Sequence, residues 1–400
     1  MNKICICGHF GGDKEFFDGQ TVKTKNIYNF LVQRYGDEFV SRLDTYNWKK
    51  NPFAFFFKCI HMFQNNDVII MLPAHNGVKV FLPLFTALNK SYKRKILYVV
   101  VGAWLPEMLN KRKKLIKYVK EFDKVLVETT KMKSDLELLK VNNVDILLNF
   151  KDLHEISRDN LKLNFKKPYK LCTFSRVMKE KGIEDAINAV KDINELYGEE
   201  VFQLDIYGSI DSEYEIEFKK LRNEFPDYIK YMECVSSDMA IEVLKEYYML
   251  LFPTRFRTEG IPGTVIDALS SGVPVIASKW DNYSDILENG FNSYLYDMNN
   301  INAFKEILKN VANEKNIALM KENSLVSSYK FRKENACAIL LKILSEYEND
   351  SSVNCDVNRL LCIVSSMDRG GAETFLMKVY RAIDKTKYQM DFCVNKERCL

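Results

Sequence analysis

The segment that runs from Phe252 to Ser278, FPTRFRTEGIPGTVIDALSSGVPVIAS, combines residue types that suit the binding of an anion. A short apolar run ends at Phe252, and a loop with two glycines follows it. A helix is predicted to start near Thr264 and to stop at Gly272, because Pro274 prevents its continuation. Glycines let backbone N–H groups approach an anion, and a helix N-terminus adds about half a positive charge. We therefore expect an anionic ligand at this turn.

Two basic residues further upstream have the chemistry to bind phosphate. Arg176 and Lys181 lie in the segment FSRVMKEKGIEDAI, which spans residues 174–187. An arginine offers a bidentate fork to phosphate oxygens, whereas a lysine offers a point charge. A solvated basic loop is the alternative for both residues, and it is disfavoured by the glycine-rich turn downstream.

The first part of the chain predicts elements that could position such residues. Near-continuous apolar runs predict buried strands at Lys3–Cys7, Asp67–Leu72, Ile96–Val101 and Lys124–Val127. Helical patterns lie between them at Thr21–Tyr35, Phe53–Gln64, Val78–Asn89, Pro106–Lys120 and Met132–Val141. Strands that alternate with helices predict a doubly wound parallel sheet.

The alternation breaks in a polar stretch near Asn149–Lys167 and then restarts. Strands are predicted at Tyr169–Phe174, Phe202–Tyr207, Tyr228–Met232, Leu250–Phe252 and Val273–Ala277. Helices are predicted at Ile183–Tyr197, Glu213–Glu224, Met239–Tyr247 and Thr264–Ser271, and in a closing block from about Ile301 to Tyr347. Two such domains in tandem place a cleft where the carboxyl ends of both sheets meet.

The spacing of two acids connects these motifs to a known family. Seven residues separate Glu259 from Asp267, and four residues separate Arg176 from a Lys181-Gly182 pair. This resembles the E-x7-E and Arg-x4-Lys-Gly segments of family 4 of the retaining GT-B glycosyltransferases (glycosyl transferases group 1), with Asp in place of the second Glu. The resemblance implies an α/β GT-B fold, in which two doubly wound Rossmann-like domains face a cleft.

The same resemblance implies roles for residues of the second domain. Glu259 would hold the hydroxyls of the donor sugar, Asp267 the ribose of the nucleotide, and Arg176 and Lys181 the diphosphate. Further donor-binding candidates follow strand ends, at Gly208, Gly260, Ile261, Pro262, Gly263 and Thr264. A capping box, Thr264-x-x-Asp267, is the alternative for the second acid, and a solvated loop acid is the alternative for Glu259.

The first domain should bind the acceptor. Gly11 and Gly12 follow the first strand and resemble the glycine-rich acceptor loop of the family. His75 follows another strand and is a candidate to face the cleft, with a structural loop histidine as the alternative. Many relatives place a histidine near the end of a later strand, whereas the matching region here, Val101–Trp104, has none.

The chain contains no Asp-x-Asp, the pair with which other glycosyltransferases hold a divalent cation. We therefore expect no metal and no other cofactor. Arg176, Lys181 and the helix start at Gly263–Thr264 would stabilise the departing nucleotide diphosphate. The resemblance implies a retaining hexosyltransferase that uses a nucleotide-diphosphate sugar, here a UDP-sugar, as co-substrate. Its acceptor would be a glycan or a lipid-linked molecule. The enzyme would act in cell-envelope or capsular polysaccharide synthesis.

The composition restricts which partners and which cellular compartment are expected. The net charge of +4 is too small to indicate nucleic-acid binding, and ten cysteines without a C-x-x-C pair indicate reduced thiols in the cytoplasm.

The segment Lys90–Lys124 is strongly basic, with eleven Lys/Arg and three acids. Apolar residues interleave with these charges at Leu105, Leu109, Leu115, Ile116 and Val119. This favours peripheral contact with an anionic membrane at the inner face of the cell membrane, with a solvated helix face as the alternative.

Other functions are less well supported. A catalytically silent GT-B partner subunit would be expected to lack Glu259, Arg176 or Lys181. A sugar-nucleotide epimerase on the same fold would need acids and a histidine placed for proton transfer. A dinucleotide-dependent oxidoreductase would need G-x-G-x-x-G after the first strand, and residues 8–12 do not fit that spacing.

The end of the chain repeats the pattern of its beginning. A strand at Arg359–Ser365, a Gly-Gly loop at Met367–Glu373, a helix at Ala372–Ile383 and a strand at Tyr388–Val394 form one βαβ unit. We predict an acceptor domain over residues 1–160, a donor domain over 161–349 and a linker over 350–356. Residues 357–400 would be a partial second copy of the first domain, unless they pack onto the main body.

Overall fold

The structure is a computed structural model that describes residues 2–14, 16, 18–73, 75–151, 156–351, 358–364, 376–380 and 388–394. The chain forms two compact units, residues 1–341 and 342–400. Across the described residues, no helix is both long and apolar enough to cross a membrane.

The N-terminal sheet consists of six parallel strands in the order β2-β1-β3-β4-β5-β6. Its strands are β1 Ile4–Gly8, β2 Val40–Asp44, β3 Val68–Leu72, β4 Lys95–Val99, β5 Lys124–Val127 and β6 Val144–Ile146. Its helices are α1 Gly19–Tyr35, α2 Pro52–Asn65, α3 His75–Tyr92, α4 Leu105–Lys111, α5 Ile116–Lys120 and α6 Thr130–Leu138. The four predicted strands are confirmed as β1, β3, β4 and β5.

Two strands and one helix of this sheet differ from the prediction. The edge strands β2 and β6 were not predicted, because their half-exposed sequences, VSRLD and VDI, lack a continuous apolar run. The single helix predicted over Pro106–Lys120 is wrong. α4 ends at Lys111, and the next residue, Arg112, has a φ of −132° and a ψ of 62°, outside the helical region. Four consecutive basic residues, 111–114, lie at this break, and like charges on neighbouring turns destabilise a helix.

The C-terminal sheet is also parallel, in the order β12-β11-β10-β7-β8-β9. Its strands are β7 Tyr169–Phe174, β8 Phe202–Tyr207, β9 Ile229–Tyr231, β10 Met249–Phe252, β11 Val275–Lys279 and β12 Ser293–Asp297. The following helices are α7 Ile183–Tyr197, α8 Glu215–Arg222, α9 Ala240–Leu244, α10 Gly263–Ser270, α11 Ile301–Val311, α12 Ile317–Ser328, α13 Lys333–Ala336 and α14 Ala338–Ser351. Among these strands only β12, a partly exposed edge strand, was not predicted.

The central strands of both sheets position the residues singled out for their chemistry. β1, β3 and β10 are buried along their whole length, so both faces of each sheet are covered. Parallel strands bring their carboxyl ends to one edge of a sheet, where the loops that follow them can meet. The predicted site residues lie in these loops or in the first two turns of the next helices.

The last part of the chain forms a sheet of its own. β13 (Asn358–Val364) pairs in parallel with β14 (Tyr388–Val394), in register from Asn358 opposite Tyr388 to Val364 opposite Val394. Residues 376–380 between them are helical. This repeats the parallel pairing of β1 with β2 across α1. The predicted Gly-Gly loop and residues 352–356 of the predicted linker lie outside the described residues.

Candidate functional site

The structure brings together the acid and the lysine from the two segments with candidate chemistry. Lys181, in a short turn after β7, donates from Nζ to Oε1 of Glu259, in the loop between β10 and α10. Each side chain is 16% exposed. The hydroxyl of Thr254 lies 3.3 Å from the same carboxylate oxygen, and Lys181 Nζ lies 5.4 Å from the ring centre of Phe256. The pair is held from several sides and remains reachable from solvent.

Two glycines allow the loops after β7, β8 and β10 to pack backbone against backbone. Gly208 has a φ of +131°, and a Cβ there would lie 1.9 Å from the carbonyl oxygen of Ser175. Gly182 has a φ of +68°, and a Cβ there would lie 2.1 Å from the carbonyl oxygen of Pro253. Only glycine fits at either position. The predicted donor-binding glycine, Gly208, thus supports the turn that carries Arg176.

Arg176 itself is not part of the Lys181–Glu259 pair. Its side chain is 52% exposed, and its guanidinium lies 3.6 Å from a carboxylate oxygen of Asp211. Exposed pairs of this kind contribute little free energy, so the guanidinium can turn to another anion at small cost.

Side-chain donors fix the carbonyl groups of the loop before α10. Asn282 donates to the carbonyl oxygen of Glu259 at 2.6 Å, and Trp280 Nε1 donates to that of Gly260 at 3.2 Å. Asn149 donates to the carbonyl oxygen of Ile261 at 2.9 Å. Three successive predicted residues are therefore held by donors from outside the loop, which orders their backbone before any ligand binds.

The same loop touches the N-terminal sheet at Glu128. A Cβ on Gly260 would lie 2.3 Å from Oε2 of Glu128 and 3.4 Å from the Cα of Gly102. Glu128 Oε1 accepts a hydrogen bond from Lys23 Nζ at 2.6 Å, and the two side chains are 4% and 2% exposed. Sequence reasoning missed this ion pair. The available signal was an acid placed directly after the apolar run of β5.

The start of α10 carries a lysine that sequence reasoning also missed. α10 begins at Gly263, and a Cβ there would lie 3.0 Å from Cε of Lys151. The ammonium of Lys151 donates to Oδ2 of Asp267, which is 4% exposed. Burial raises the pKa of Asp267, and the charge and hydrogen bond of Lys151 oppose that rise. A cation therefore covers the helix start where an anion was expected.

The capping box is not formed. Pro262 is the N-cap residue of α10, and its side chain makes no capping hydrogen bond. The buried hydroxyl of Thr264 finds no hydrogen-bond partner among the described residues. Because α10 starts one residue earlier than predicted, Thr264 lies inside the first turn. The capping interpretation of Thr264 and Asp267 is therefore wrong, and Asp267 pairs with Lys151 instead.

The candidate acceptor-side residues lie in ordered turns. Gly11 and Gly12 have φ values of +93° and +58°. The carboxylate of Asp44 accepts hydrogen bonds from the backbone N–H of Phe10 at 2.9 Å and of Gly12 at 2.8 Å. A Cβ on Gly12 would lie 2.9 Å from the ring of Tyr46, so this ring lines the turn.

His75 begins α3, and its side chain is exposed. Its ring packs edge-on against Trp104, with 5.0 Å between the ring centres. The tryptophan belongs to the region that lacks the expected histidine, so the two aromatic side chains share one place at the ends of β3 and β4.

The basic segment Lys90–Lys124 does not present an apolar face. Its leucine, isoleucine and valine side chains are fully buried (Leu105, Leu109 and Val119) or packed against the core of the N-terminal sheet (Leu115 and Ile116). The predicted amphipathic surface is therefore wrong at this location, because the apolar residues face inward. Across the described residues, no group of three or more His, Cys, Asp and Glu side chains is arranged to hold a metal ion.

Comparison with known proteins adds a family match. Residues 155–325 match the model of the family described as glycosyl transferases group 1. An uncharacterized glycosyltransferase of Methanocaldococcus jannaschii, MJ1178, is 27% identical over 168 residues, which cover 42% of this chain and 45% of that protein. The GtfA subunit of the UDP-N-acetylglucosamine–peptide N-acetylglucosaminyltransferase of Streptococcus agalactiae is 28% identical over 195 residues, covering 46% of this chain and 37% of that protein. The matches span less than half the length of either relative.

Solved structures show the fold. The crystal structure of Anabaena Alr3699/HepE in complex with UDP has a TM-score of 0.66 at 13% sequence identity. It covers 86% of this chain and 100% of that chain. The same protein has been solved with UDP-glucose. The predicted α/β GT-B fold with two parallel-sheet, Rossmann-like domains is confirmed.

Proposed function

We propose that this chain is a glycosyltransferase that moves a sugar from a UDP-sugar to a glycan or lipid-linked acceptor, with retention of configuration. The observation that carries the proposal is the Lys181–Glu259 pair, which lies beside the glycine turn and the start of α10. It lies within the segment that matches glycosyl transferases group 1. The UDP and UDP-glucose complexes of Alr3699/HepE support the choice of nucleotide.

The charges of the site suit the departure of a nucleotide diphosphate. The ammonium of Lys181 has three donors, so it can keep Glu259 and still donate to a phosphate oxygen. Lys151 lies at the start of α10, and Arg176 is loosely paired, so both can add positive charge where negative charge develops. Glu259 would accept hydrogen bonds from the sugar hydroxyls and orient the anomeric carbon.

The proposed reaction breaks the bond between the anomeric carbon and the phosphate oxygen. The acceptor oxygen bonds to the same face of the anomeric carbon, and its proton passes to the departing phosphate oxygen. No protein nucleophile is required, so Glu259 acts by positioning the donor. Water exclusion by the two facing domains would limit hydrolysis of the donor.

In this proposal the two domains bind different substrates. Residues 161–349 bind the donor, and residues 1–160 bind the acceptor at the Gly11–Gly12 turn and near His75. Residues 357–400 are a partial second copy of the first domain, joined by the linker 350–356. The enzyme would act in the cytoplasm, at the inner face of the cell membrane, in cell-envelope or capsular polysaccharide synthesis.

The test is nucleotide release from a panel of UDP-, GDP- and ADP-sugars in the presence of EDTA, with a membrane-lipid extract as acceptor. We expect turnover of a UDP-sugar by the wild type and a loss of about 100-fold or more in kcat/KM for Glu259→Gln and Lys181→Ala. Lys179→Ala is the matched control, because this lysine lies in the same turn and is 56% exposed. If every donor remained intact with the folded wild type, the silent-partner function would replace this proposal.

A further inference from the structure

Helix α2 exposes a cluster of aromatic rings. Phe53, Phe56 and Phe57 are 80%, 38% and 66% exposed, and the ring centres of Phe56 and Phe57 are 5.9 Å apart. Phe55, between them, is 6% exposed and points into the core. Nowhere else in the described residues do three exposed aromatic side chains fall within five consecutive positions. A contiguous apolar surface of this kind marks a site of contact with another molecule or a membrane. We call Phe53, Phe56 and Phe57 the phenylalanine surface.

Positive charge surrounds the phenylalanine surface. Lys49 and Lys50 lie two or three residues before the start of α2, Lys58 follows Phe57, and all three side chains are exposed. Residues 45–66 contain no Asp or Glu. Aromatic rings framed by lysines without acids are the composition of segments that lie in the interface of an anionic bilayer. In a symmetric pair of copies the lysines would face each other, so the charge disfavours self-association through this surface.

The phenylalanine surface is also close to the candidate acceptor side. The loop from β2 to α2 carries Tyr46, which lines the Gly11–Gly12 turn, and Trp48. The ring of Trp48 packs on Phe55 of α2 at 6.1 Å between ring centres. One short loop therefore joins the turn proposed to receive the acceptor to the exposed rings of α2.

We propose that the phenylalanine surface, with Lys49, Lys50 and Lys58, docks this chain on an anionic lipid membrane. The rings would enter the boundary between headgroups and acyl chains, and the lysines would lie at the anionic headgroups. The docking itself does not depend on catalysis. The role of the docking would be to deliver a lipid-linked acceptor to the Gly11–Gly12 turn, and this role rests on the proposed function.

Vesicle flotation tests the proposal. We expect the full chain to float with vesicles of phosphatidylcholine and phosphatidylglycerol, and to float less at high salt. It should not float with vesicles of pure phosphatidylcholine. The triple variant Phe53→Gln/Phe56→Gln/Phe57→Gln should lose about tenfold or more in affinity, and so should Lys49→Glu/Lys50→Glu/Lys58→Glu. Leu138→Gln is the apolar control, since Leu138 is 82% exposed elsewhere on the surface. Lys113→Glu/Lys114→Glu/Lys117→Glu tests the basic segment.

Three outcomes would overturn the proposal. The first is a wild type that does not bind anionic vesicles. The second is binding that survives in the phenylalanine variant and disappears in the basic-segment variant. The third is a wild-type dimer in sedimentation that dissociates in the phenylalanine variant. Thermal unfolding with and without UDP, on the same samples, shows whether each variant is folded and binds the nucleotide. Vesicle docking and the proposed function can therefore fail independently.

Discussion

The carboxylate of Glu128 lies against the backbone of Gly260, so that a Cβ at this glycine would come within 2.3 Å of Oε2. Glu128 directly follows β5 of the N-terminal sheet, and Gly260 belongs to the loop that carries Glu259. The carboxylate cannot easily move away, because Lys23 holds its other oxygen at 2.6 Å in a buried place. The two sheets thus meet at a fixed charged group beside the candidate site.

The Lys23–Glu128 pair should be sensitive to the loss of one partner. Lys23→Met leaves a buried carboxylate without its cation, and we expect a loss of about 3–5 kcal/mol in the free energy of unfolding. Urea titration measures it. The double variant Lys23→Met/Glu128→Met should recover most of the loss. Lys131→Met, in a pair whose lysine is 45% exposed, should cost less than about 1 kcal/mol. Equal losses of unfolding free energy for Lys23→Met and Lys131→Met would contradict the prediction.

The contact between Gly260 and Glu128 should matter for turnover. Gly260→Ala forces either the loop or the buried carboxylate to shift, and displacement of a positioned group costs about tenfold to 100-fold in rate. We expect such a fall in kcat/KM for the donor, measured by nucleotide release. Gly19→Ala is the control, because a Cβ there meets nothing within 4 Å. Full activity of Gly260→Ala would show that the loop tolerates the shift.

The backbone contact at Gly208 should be costly to disturb. Gly208→Ala combines a φ of +131° with a Cβ 1.9 Å from the carbonyl oxygen of Ser175. We expect a loss of about 2 kcal/mol or more in stability and weaker UDP binding, because the turn with Arg176 must move. Gly198→Ala has a φ of +63° and open space around its Cβ. It isolates the cost of the backbone conformation, about 1 kcal/mol. Calorimetry of both variants should therefore give clearly different melting temperatures.

Lys321 should give the stability a pH dependence above neutrality. Burial lowers the pKa of this lysine to about 7, although Nζ donates to the carbonyl oxygens of Tyr247 at 3.0 Å and Gly272 at 3.1 Å. Between about pH 7 and 10.5 the unfolded chain keeps a proton that the folded chain has released. The contribution of Lys321 to stability therefore rises with pH across this window, and its destabilising effect is complete below it.

The comparison with Lys321→Met isolates this effect. The difference in unfolding free energy between the variant and the wild type should move in favour of the wild type as the pH rises from about 7 to 10. Urea titrations at several pH values measure it. Lys219→Met, at a lysine that is 67% exposed, is the control for the loss of a surface lysine. A pH-independent difference for Lys321→Met would show that the lysine stays charged in the fold.

The sequence by itself determined the class of fold and the segments that hold the chemistry. Strands such as β1, β3 and β10 are covered on both faces, so they appear as unbroken apolar runs. The acid, the glycines and the helix start after Phe252 are neighbours in the chain, and a local pattern can reveal them. The edge strands β2, β6 and β12 were not predicted, because a half-exposed strand has no unbroken apolar run.

Only the tertiary structure decided which charges meet. Lys181 and Glu259 are 78 residues apart, Lys23 and Glu128 are 105 apart, and Lys151 and Asp267 are 116 apart. No local periodicity encodes such pairs, because they depend on the order of the strands in each sheet and on the contact of one sheet with the other. The direction of side chains is likewise a property of packing. In the packed structure, the apolar residues of the basic segment face inward, whereas Phe53, Phe56 and Phe57 of α2 are exposed.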